Sequence, residues 1–100
     1  MSSYAVIFTS VRSAQDPAGY EAMAQRMVDK AKLQKGFLGM DSVRDPSGTG
    51  ITVSYWESLD SIKAWRADAE HQDAQSAGRE KWYENFKVRI CKVEREYGAL

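Results

Sequence analysis

His71 is the residue of this sequence best suited to move a proton near neutral pH. It is the single histidine among 100 residues, and histidine is the side chain whose ordinary pKa lies closest to neutrality. We therefore consider His71 a candidate general base. The alternative is a structural histidine that hydrogen-bonds a backbone group at a break in a helix.

Aromatic side chains of the second half are candidates for lining a pocket around a flat ligand. They are Tyr55, Trp56, Trp65, Trp82 and Tyr83. Aromatic residues at the ends of strands and helices are as often plain packing, and we favour packing for at least half of Tyr55, Trp56, Trp82 and Tyr83. Trp65 continues the apolar stripe of a predicted helix, which favours a core position. It precedes His71 by six residues, about 120° around a straight helix, so the two share a pocket only if that helix bends.

Arg79 and Cys91 are two further residues with chemical potential. Arg79 is a candidate partner for an anionic group of a ligand, although a structural ion pair with Glu94 or Glu96 is the interpretation we favour. Cys91 lies within a predicted strand, where cysteine is usually inert packing. A single cysteine and a single histidine exclude a disulfide framework and a multi-cysteine zinc site. Without a glycine-rich phosphate loop, the sequence also predicts no flavin or nicotinamide cofactor.

Composition indicates one ordinary globular domain spanning residues 1–100. Hydrophobic residues make up 43% and charged residues 28%, and 14 basic residues balance 14 acidic ones. Zero net charge argues against nucleic-acid binding, which usually requires a basic excess. The longest apolar run is far shorter than the ~20 residues that span a bilayer, so we expect no membrane partner. The first residues lack the features of a signal peptide, and we expect a cytoplasmic location.

Apolar periodicity and turn residues predict six elements in the order strand, helix, strand, strand, helix, strand. The first helix begins at Asp16-Pro17 and closes at Gly36, and Ser58 caps the second. The predicted strands are Tyr4–Val11, Phe37–Arg44, Ile51–Trp56 and Asn85–Tyr97. This order is that of an α+β, ferredoxin-like βαββαβ fold with both helices on one face of an antiparallel sheet. The apolar positions of the last strand change parity between Ile90 and Cys91, which predicts a β-bulge there.

The first and last strands carry apolar residues on both faces, and two helices cover only one face of such a sheet. A second copy of the chain is the simplest cover for the other face. The pattern therefore predicts a homodimer in which the two sheets pack against each other. The alternative is a monomer with some exposed apolar residues, which are common.

Several short motifs of the second half give the sequence a recognisable character. They are Ser54-Tyr55-Trp56-Glu57-Ser58, Ala64-Trp65-Arg66, Glu70-His71, Gly78-Arg79-Glu80, Trp82-Tyr83 and Val93-Glu94-Arg95-Glu96-Tyr97. With the Gly36-Phe37 step before the second strand, they resemble the antibiotic biosynthesis monooxygenase (ABM) family of the dimeric α+β barrel superfamily. The resemblance covers nearly the whole chain.

The resemblance implies a dimer with face-to-face sheets and a cavity between sheet and helices in each subunit. It further implies a monooxygenase that needs neither metal nor flavin. A small hydrophobic aromatic of anthrone or quinol type would lose a proton, and its anion would react directly with dioxygen. Relatives commonly carry a histidine at the position of His71, which makes it the candidate base. The alternative is a non-catalytic, stress-related protein that binds a small molecule in the same cavity.

Haem degradation is a third activity found among members of the family that this sequence resembles. Those relatives use an asparagine on the first strand, a tryptophan on the second helix and a later histidine. Trp65 matches the tryptophan, but the first strand offers Thr9 or Ser10. His71 lies too close to Trp65, and Gln75 falls nearer the expected place. Two of three positions depart from the pattern, which argues against haem degradation.

Overall fold

The computed structural model describes residues 3–14, 17–75 and 83–99, and for residues 70–75 it describes the backbone alone. Its elements follow the predicted order of strands and helices. They are β1 (Ser3–Arg12), α1 (Pro17–Leu33), β2 (Phe37–Arg44), β3 (Thr49–Trp56), α2 (Leu59–Gln75) and β4 (Tyr83–Val93). The predicted α+β, ferredoxin-like fold is therefore confirmed.

The four strands form one antiparallel sheet in the order β2-β3-β1-β4. Side chains alternate between its two faces. Val6 of β1 and Trp56 of β3 pack with Ala31 of α1 and Ile62 of α2 in one buried cluster. Since both helices contribute to that cluster, both cover the same face of the sheet, which we call the helix face. The other face, which no described helix covers, is the open face.

Both helices begin where local chemistry predicts, and a glycine follows the first of them. Pro17 is the first residue of α1, a position where the missing N–H of proline costs nothing. The hydroxyl oxygen of Ser58 accepts a hydrogen bond from the backbone N–H of Ser61 at 3.1 Å, which confirms the predicted cap of α2. Gly36 follows α1 with φ of 88°, and its carbonyl accepts a 2.8 Å bond from the backbone N–H of Glu57.

The turn between β2 and β3 is organised by the carboxylate of Asp45. Its Oδ1 accepts hydrogen bonds from the backbone N–H groups of Ser47 at 3.0 Å and Thr49 at 3.1 Å, and from the Ser47 hydroxyl at 2.5 Å. Chiefly because of the Ser47 hydroxyl bond, the pKa of Asp45 lies below its ordinary value. Gly48 completes the turn with φ of 97°, a conformation that glycine adopts without strain.

The last strand differs from its prediction at both ends. It spans Tyr83–Val93 instead of Asn85–Tyr97. At its end Val93 pairs with Ser3, where β1 itself begins. Within the described residues the ladder ends at this pair, so Glu94–Tyr97 lie outside the strand.

The predicted bulge between Ile90 and Cys91 is wrong. Pairing continues without interruption from Val6 with Ile90 to Ala5 with Cys91. The change of apolar parity instead arises because β4 has apolar residues on the helix face up to Ile90 and on the open face from Cys91 onwards. The register shift of this ladder lies at the other end of β1, between Val11 and Arg12.

Candidate functional site

A cavity of about 220 Å³ lies between the helix face of the sheet and the two helices. It occupies one end of the interlayer space, and the buried cluster of Val6, Ala31, Trp56 and Ile62 fills the other. Its lining includes Phe8, Tyr20, Ser42, Arg44, Thr52, Trp65, Arg66, Tyr83 and Phe86, together with Met23, Met27 and Met40.

The space exists because small residues face the helices at this end of β2 and β3. The helix face of β3 carries Gly50, Thr52, Ser54 and Trp56 in order along the strand. The indole of Trp56 fills the space above Ser54 and donates a 2.9 Å hydrogen bond to its hydroxyl. The space above Thr52 is not filled in this way, because its neighbours on this face of β3 are the small residues Gly50 and Ser54. The Thr52 hydroxyl instead shares a 2.7 Å hydrogen bond with the hydroxyl of Ser42 on β2, and this pair forms a polar floor.

Aromatic rings form the wall of the cavity beside β1 and β4. The ring of Phe8 lies edge-on to Tyr83, with centroids 5.3 Å apart and planes at 70°, and is stacked on Phe86 at 5.7 Å. Tyr20 of α1 meets Tyr83 edge-on at 5.8 Å. Such offset and edge-to-face contacts are the favoured geometries of aromatic pairs. The wall is therefore an ordered aromatic surface suited to a flat apolar ligand.

Arg44 places a fixed positive charge in the cavity. Its Nη2 donates a 2.7 Å hydrogen bond to the hydroxyl of Ser10, and its Nη1 donates to the carbonyls of Ser10 and Gly48. The guanidinium carbon also lies 5.7 Å from the ring centre of Tyr20 and 6.0 Å from that of Tyr83, within the range of a cation–π contact. Within the described residues, its hydrogen-bond partners are two carbonyls and a hydroxyl, all of them neutral.

Trp65 contributes an unpaired donor. Its ring packs on Trp56 with centroids 5.3 Å apart, and it lines the cavity. Its Nε1 is buried and has no hydrogen-bond partner among the described residues. Burying such a donor without an acceptor costs about 1–3 kcal/mol.

The structure brings two of the predicted site residues to the cavity, Trp65 and Tyr83. It does not bring Trp56 or Tyr55 there: Trp56 is fully buried in the packed core, and Tyr55 pairs in register with Ala5 on the open face. The side chain of His71, and all of Arg79 and Trp82, lie outside the described residues. The helix α2 continues without a break through position 71, and on a straight helix that position lies about 120° around the axis from Trp65.

The sequence analysis did not identify the two arginines of the cavity, Arg44 and Arg66, or its α1 residues Tyr20, Met23 and Met27. One signal for Arg44 was present. Met40, Ser42 and Arg44 alternate along a predicted strand, and alternation places them on one face. An arginine on the same strand face as a methionine points towards the apolar layer.

The fold and its helix-face cavity define a small α+β protein with an enclosed space between sheet and helices. The sequence profile of the antibiotic biosynthesis monooxygenase family matches residues 3–77, and the chain belongs to that family. The resemblance found in the sequence is thereby confirmed.

Relatives extend this placement. The chain is 55% identical over 93 residues to the uncharacterised protein YqjZ of Bacillus subtilis (strain 168), covering 93% of this chain and 81% of that protein. Its fold is similar to that of a Pseudomonas aeruginosa protein, with a TM-score of 0.72, 19% identity and 97% of each chain covered. It is also similar to SnoaB, a cofactor-independent oxygenase from Streptomyces nogalater, with a TM-score of 0.71, 16% identity and 95% of each chain covered.

The described residues can also be compared with the requirements of a metal site and of a membrane-spanning helix. Within residues 3–14, 17–75 and 83–99, no three histidine, cysteine, aspartate or glutamate side chains come together in a group that could hold a metal ion. In the same part of the chain, neither helix has the length and hydrophobicity needed to cross a membrane.

Proposed function

We propose that this protein is a cofactor-independent monooxygenase that oxidises a small hydrophobic aromatic of anthrone or quinol type inside the helix-face cavity. The observation that carries the proposal is the cavity itself, with aromatic rings and methionines as walls and an unpaired buried indole N–H at Trp65. Membership of the ABM family and the fold similarity to the oxygenase SnoaB support it.

The proposed chemistry uses anthrone as its simplest case. A base removes a proton from the methylene carbon, and the resulting enolate transfers electrons to dioxygen. One oxygen atom stays on that carbon as the new carbonyl, and the other leaves as water with the two methylene hydrogens. Anthrone and dioxygen thus give anthraquinone and water, with no external reductant. An apolar chamber favours this reaction because it excludes bulk water from the reactive anion.

Two residues take defined roles in this proposal. His71 is the proposed base, because it is the single histidine of the chain and a base works best with a pKa near the operating pH. This role requires a bend of α2 that turns His71 towards the cavity lined by Trp65. Trp65 donates its Nε1–H to the substrate oxygen, on which the negative charge of the enolate develops. Phe8, Tyr83 and Phe86 hold the flat ring system.

Oxygen uptake with anthrone tests the proposal directly. Wild-type protein should consume one dioxygen per anthrone and form anthraquinone faster than buffer does. His71→Ala should lower turnover by about 100-fold, the usual scale for loss of a general base. Lys63→Ala is the matched control, because Lys63 is an exposed residue on the same helix and should leave turnover unchanged.

Thermal unfolding measured beside turnover separates the outcomes. His71→Ala should change the free energy of unfolding by no more than about 1 kcal/mol, the value of one hydrogen bond. A folded variant with full turnover would remove His71 as the base. If neither anthrone nor a quinol reacts with the wild type while a flat aromatic still binds, the oxygenase proposal fails and the non-catalytic binding function takes its place.

We also propose that two copies associate through the open face, as the two-faced apolar strands predict. Ile51 and Val43 of that face are 44% and 72% exposed, and Ile7 and Val53 pair beside them. Sedimentation at micromolar concentration should give twice the 11.3 kDa chain mass, and Val53→Lys should shift it towards the monomer because burial of an unpaired charge is costly. A stable 11.3 kDa wild-type species would contradict the dimer.

A further inference from the structure

We propose that the cavity selects ligands that carry an anionic oxygen, and that Arg44 is the residue that recognises it. The inference rests on the proposed function to the extent that both require a ligand in this cavity. It adds the charge of that ligand and the residue that determines specificity for it. The class is a flat, apolar body bearing one anionic oxygen, such as an aromatic carboxylate or an ionised phenol.

The charge of the lining is the first observation. Two guanidinium groups, those of Arg44 and Arg66, belong to the cavity wall, and no carboxylate is among its described lining residues. Arg66 is exposed and Arg44 is half-buried, so Arg44 occupies the more enclosed position. Electrostatic interactions strengthen where water is excluded, which makes Arg44 the stronger of the two sites for an anion.

Hydrogen bonding around Arg44 is the second observation. Its contacts with Ser10 and Gly48 involve neutral oxygens. They fix the orientation of the guanidinium and account for three of its five N–H donors. Within the part of the chain that the structure describes, the guanidinium has donors to spare and no carboxylate partner. It is therefore organised in advance to bind a carboxylate or phenolate, which forms stronger hydrogen bonds than a neutral oxygen does.

The backbone beneath Arg44 is shaped to hold it. Gly50 pairs with both Ser10 and Arg44 in the sheet, and a Cβ added at Gly50 would lie 2.5 Å from the guanidinium carbon of Arg44. The glycine thus provides the space into which the guanidinium folds. A simple tie between β1 and the turn would explain the hydrogen bonds, but it would not explain why the group faces a ligand-sized cavity.

Apart from the two arginines and the hydroxyls of the lining, the described cavity wall is apolar, which favours a ligand with a single charged group at the enclosed Arg44 end. Phe8, Phe86 and three methionines offer no partner for a second anionic centre. Phosphate-rich ligands such as nucleotides are consequently a poor match. A ring system with its anionic oxygen at the Arg44 end places its apolar part against Phe8 and Phe86.

The test compares 2-naphthoate with 2-naphthamide, which have the same ring system and differ in charge. Isothermal titration calorimetry at low salt should show the wild type binding the naphthoate at least about tenfold more tightly, as expected for hydrogen bonds to a charged group. Arg44→Gln should remove that preference. Arg26→Gln is the matched control, since it removes the same charge from an exposed position of α1 and should retain the preference.

Other outcomes would overturn the inference in distinguishable ways. Equal binding of the two compounds would refute anion selection while leaving a ligand-binding cavity, and so the proposed function, in place. A preference that survives in folded Arg44→Gln would remove Arg44 from the role. Binding of neither compound would overturn the inference, and anthrone turnover would then test the proposed function by itself. If Arg44→Gln does not fold, loss of the wild-type preference at high salt supports the ionic contact, and a salt-independent preference refutes it.

Discussion

The two ends of the space between sheet and helices are built from the same elements but packed differently. At the packed end, Val6, Ala31, Trp56 and Ile62 are between 0% and 4% exposed and leave no gap for a ligand. At the cavity end, the same strands and helices enclose about 220 Å³. The difference arises on one strand face, where small Gly50 and Thr52 at the cavity end give way to Trp56 at the packed end.

The residues that stabilise the fold and the residues that line the cavity therefore lie at opposite ends of the space between sheet and helices. Burial of large apolar side chains is the main source of stability, and the largest fully buried side chains, Trp56 and Ile62, lie at the packed end. The cavity end instead holds polar groups that a fully packed core would not tolerate, including Arg44 and the indole N–H of Trp65.

The largest expected difference between the two ends is in the cost of truncating an apolar side chain. Ile62→Ala and Met27→Ala each remove three heavy atoms, one at each end. We expect Ile62→Ala to lower the free energy of unfolding by about 4 kcal/mol and Met27→Ala by about 2 kcal/mol, because a tightly packed site cannot relax around a new void. Urea denaturation measures both. Equal costs would show that the two ends do not differ in packing.

Trp→Phe substitutions at the two ends test the hydrogen bonding of each indole, because both remove the same three heavy atoms and one N–H. Trp56→Phe leaves the buried hydroxyl of Ser54 without its donor, and it should cost about 2 kcal/mol of unfolding free energy. Trp65→Phe removes an N–H that lacks a partner in the described residues, so its cost should stay below about 1 kcal/mol. Anthrone turnover should fall in folded Trp65→Phe and persist in folded Trp56→Phe. The reverse pattern would contradict the role given to Trp65.

A smaller effect is expected at the helix cap beside the packed end. Ser58→Ala removes the oxygen that accepts from the N–H of Ser61, and we expect a loss of about 1 kcal/mol in unfolding free energy. Ser58→Asp is the matched control, since its carboxylate also accepts at this position. If alanine and aspartate behave alike, the cap does not contribute to stability.

The smallest effect concerns the turn at the cavity end and depends on pH. The pKa of Asp45 is lower in the folded chain than its ordinary value of 3.8, so its charged form stabilises the fold above that pH. This contribution is lost as the pH falls through the folded-state pKa. The stability difference between wild type and Asp45→Asn, measured by urea denaturation, should therefore shrink below about pH 4. A difference that stays constant down to pH 2 would contradict this origin.

Much of the fold could be predicted because its signals are local. Turn residues at Asp45 and Gly48, the cap at Ser58 and alternation along β1 and β3 each identify an element from a few neighbouring residues. The end of β4 could not be predicted in this way. It depends on where β1 begins to pair, at Ser3 with Val93, and that is a property of two distant segments together.

The site was harder to predict than the fold for a related reason. Residue type identified Trp65 and Tyr83, which line the cavity, but it gave equal weight to Tyr55 and Trp56, which do not. The distinction requires knowing that Trp56 fills the space above Ser54 while nothing comparable fills the space above Thr52. An empty volume is the absence of a side chain, and a search for reactive residue types does not register it.

The small residues at the cavity floor have a consequence for how such a protein can acquire new substrates. Ser42 and Thr52 meet through a single hydroxyl pair, away from the cluster of Trp56 and Ile62. Exchanging them for larger or smaller residues would reshape the chamber while leaving the buried cluster intact. Evolution can therefore vary ligand size on this scaffold at little risk to folding, in keeping with the way one fold serves many activities. The two positions that allow this variation lie on the paired strands β2 and β3.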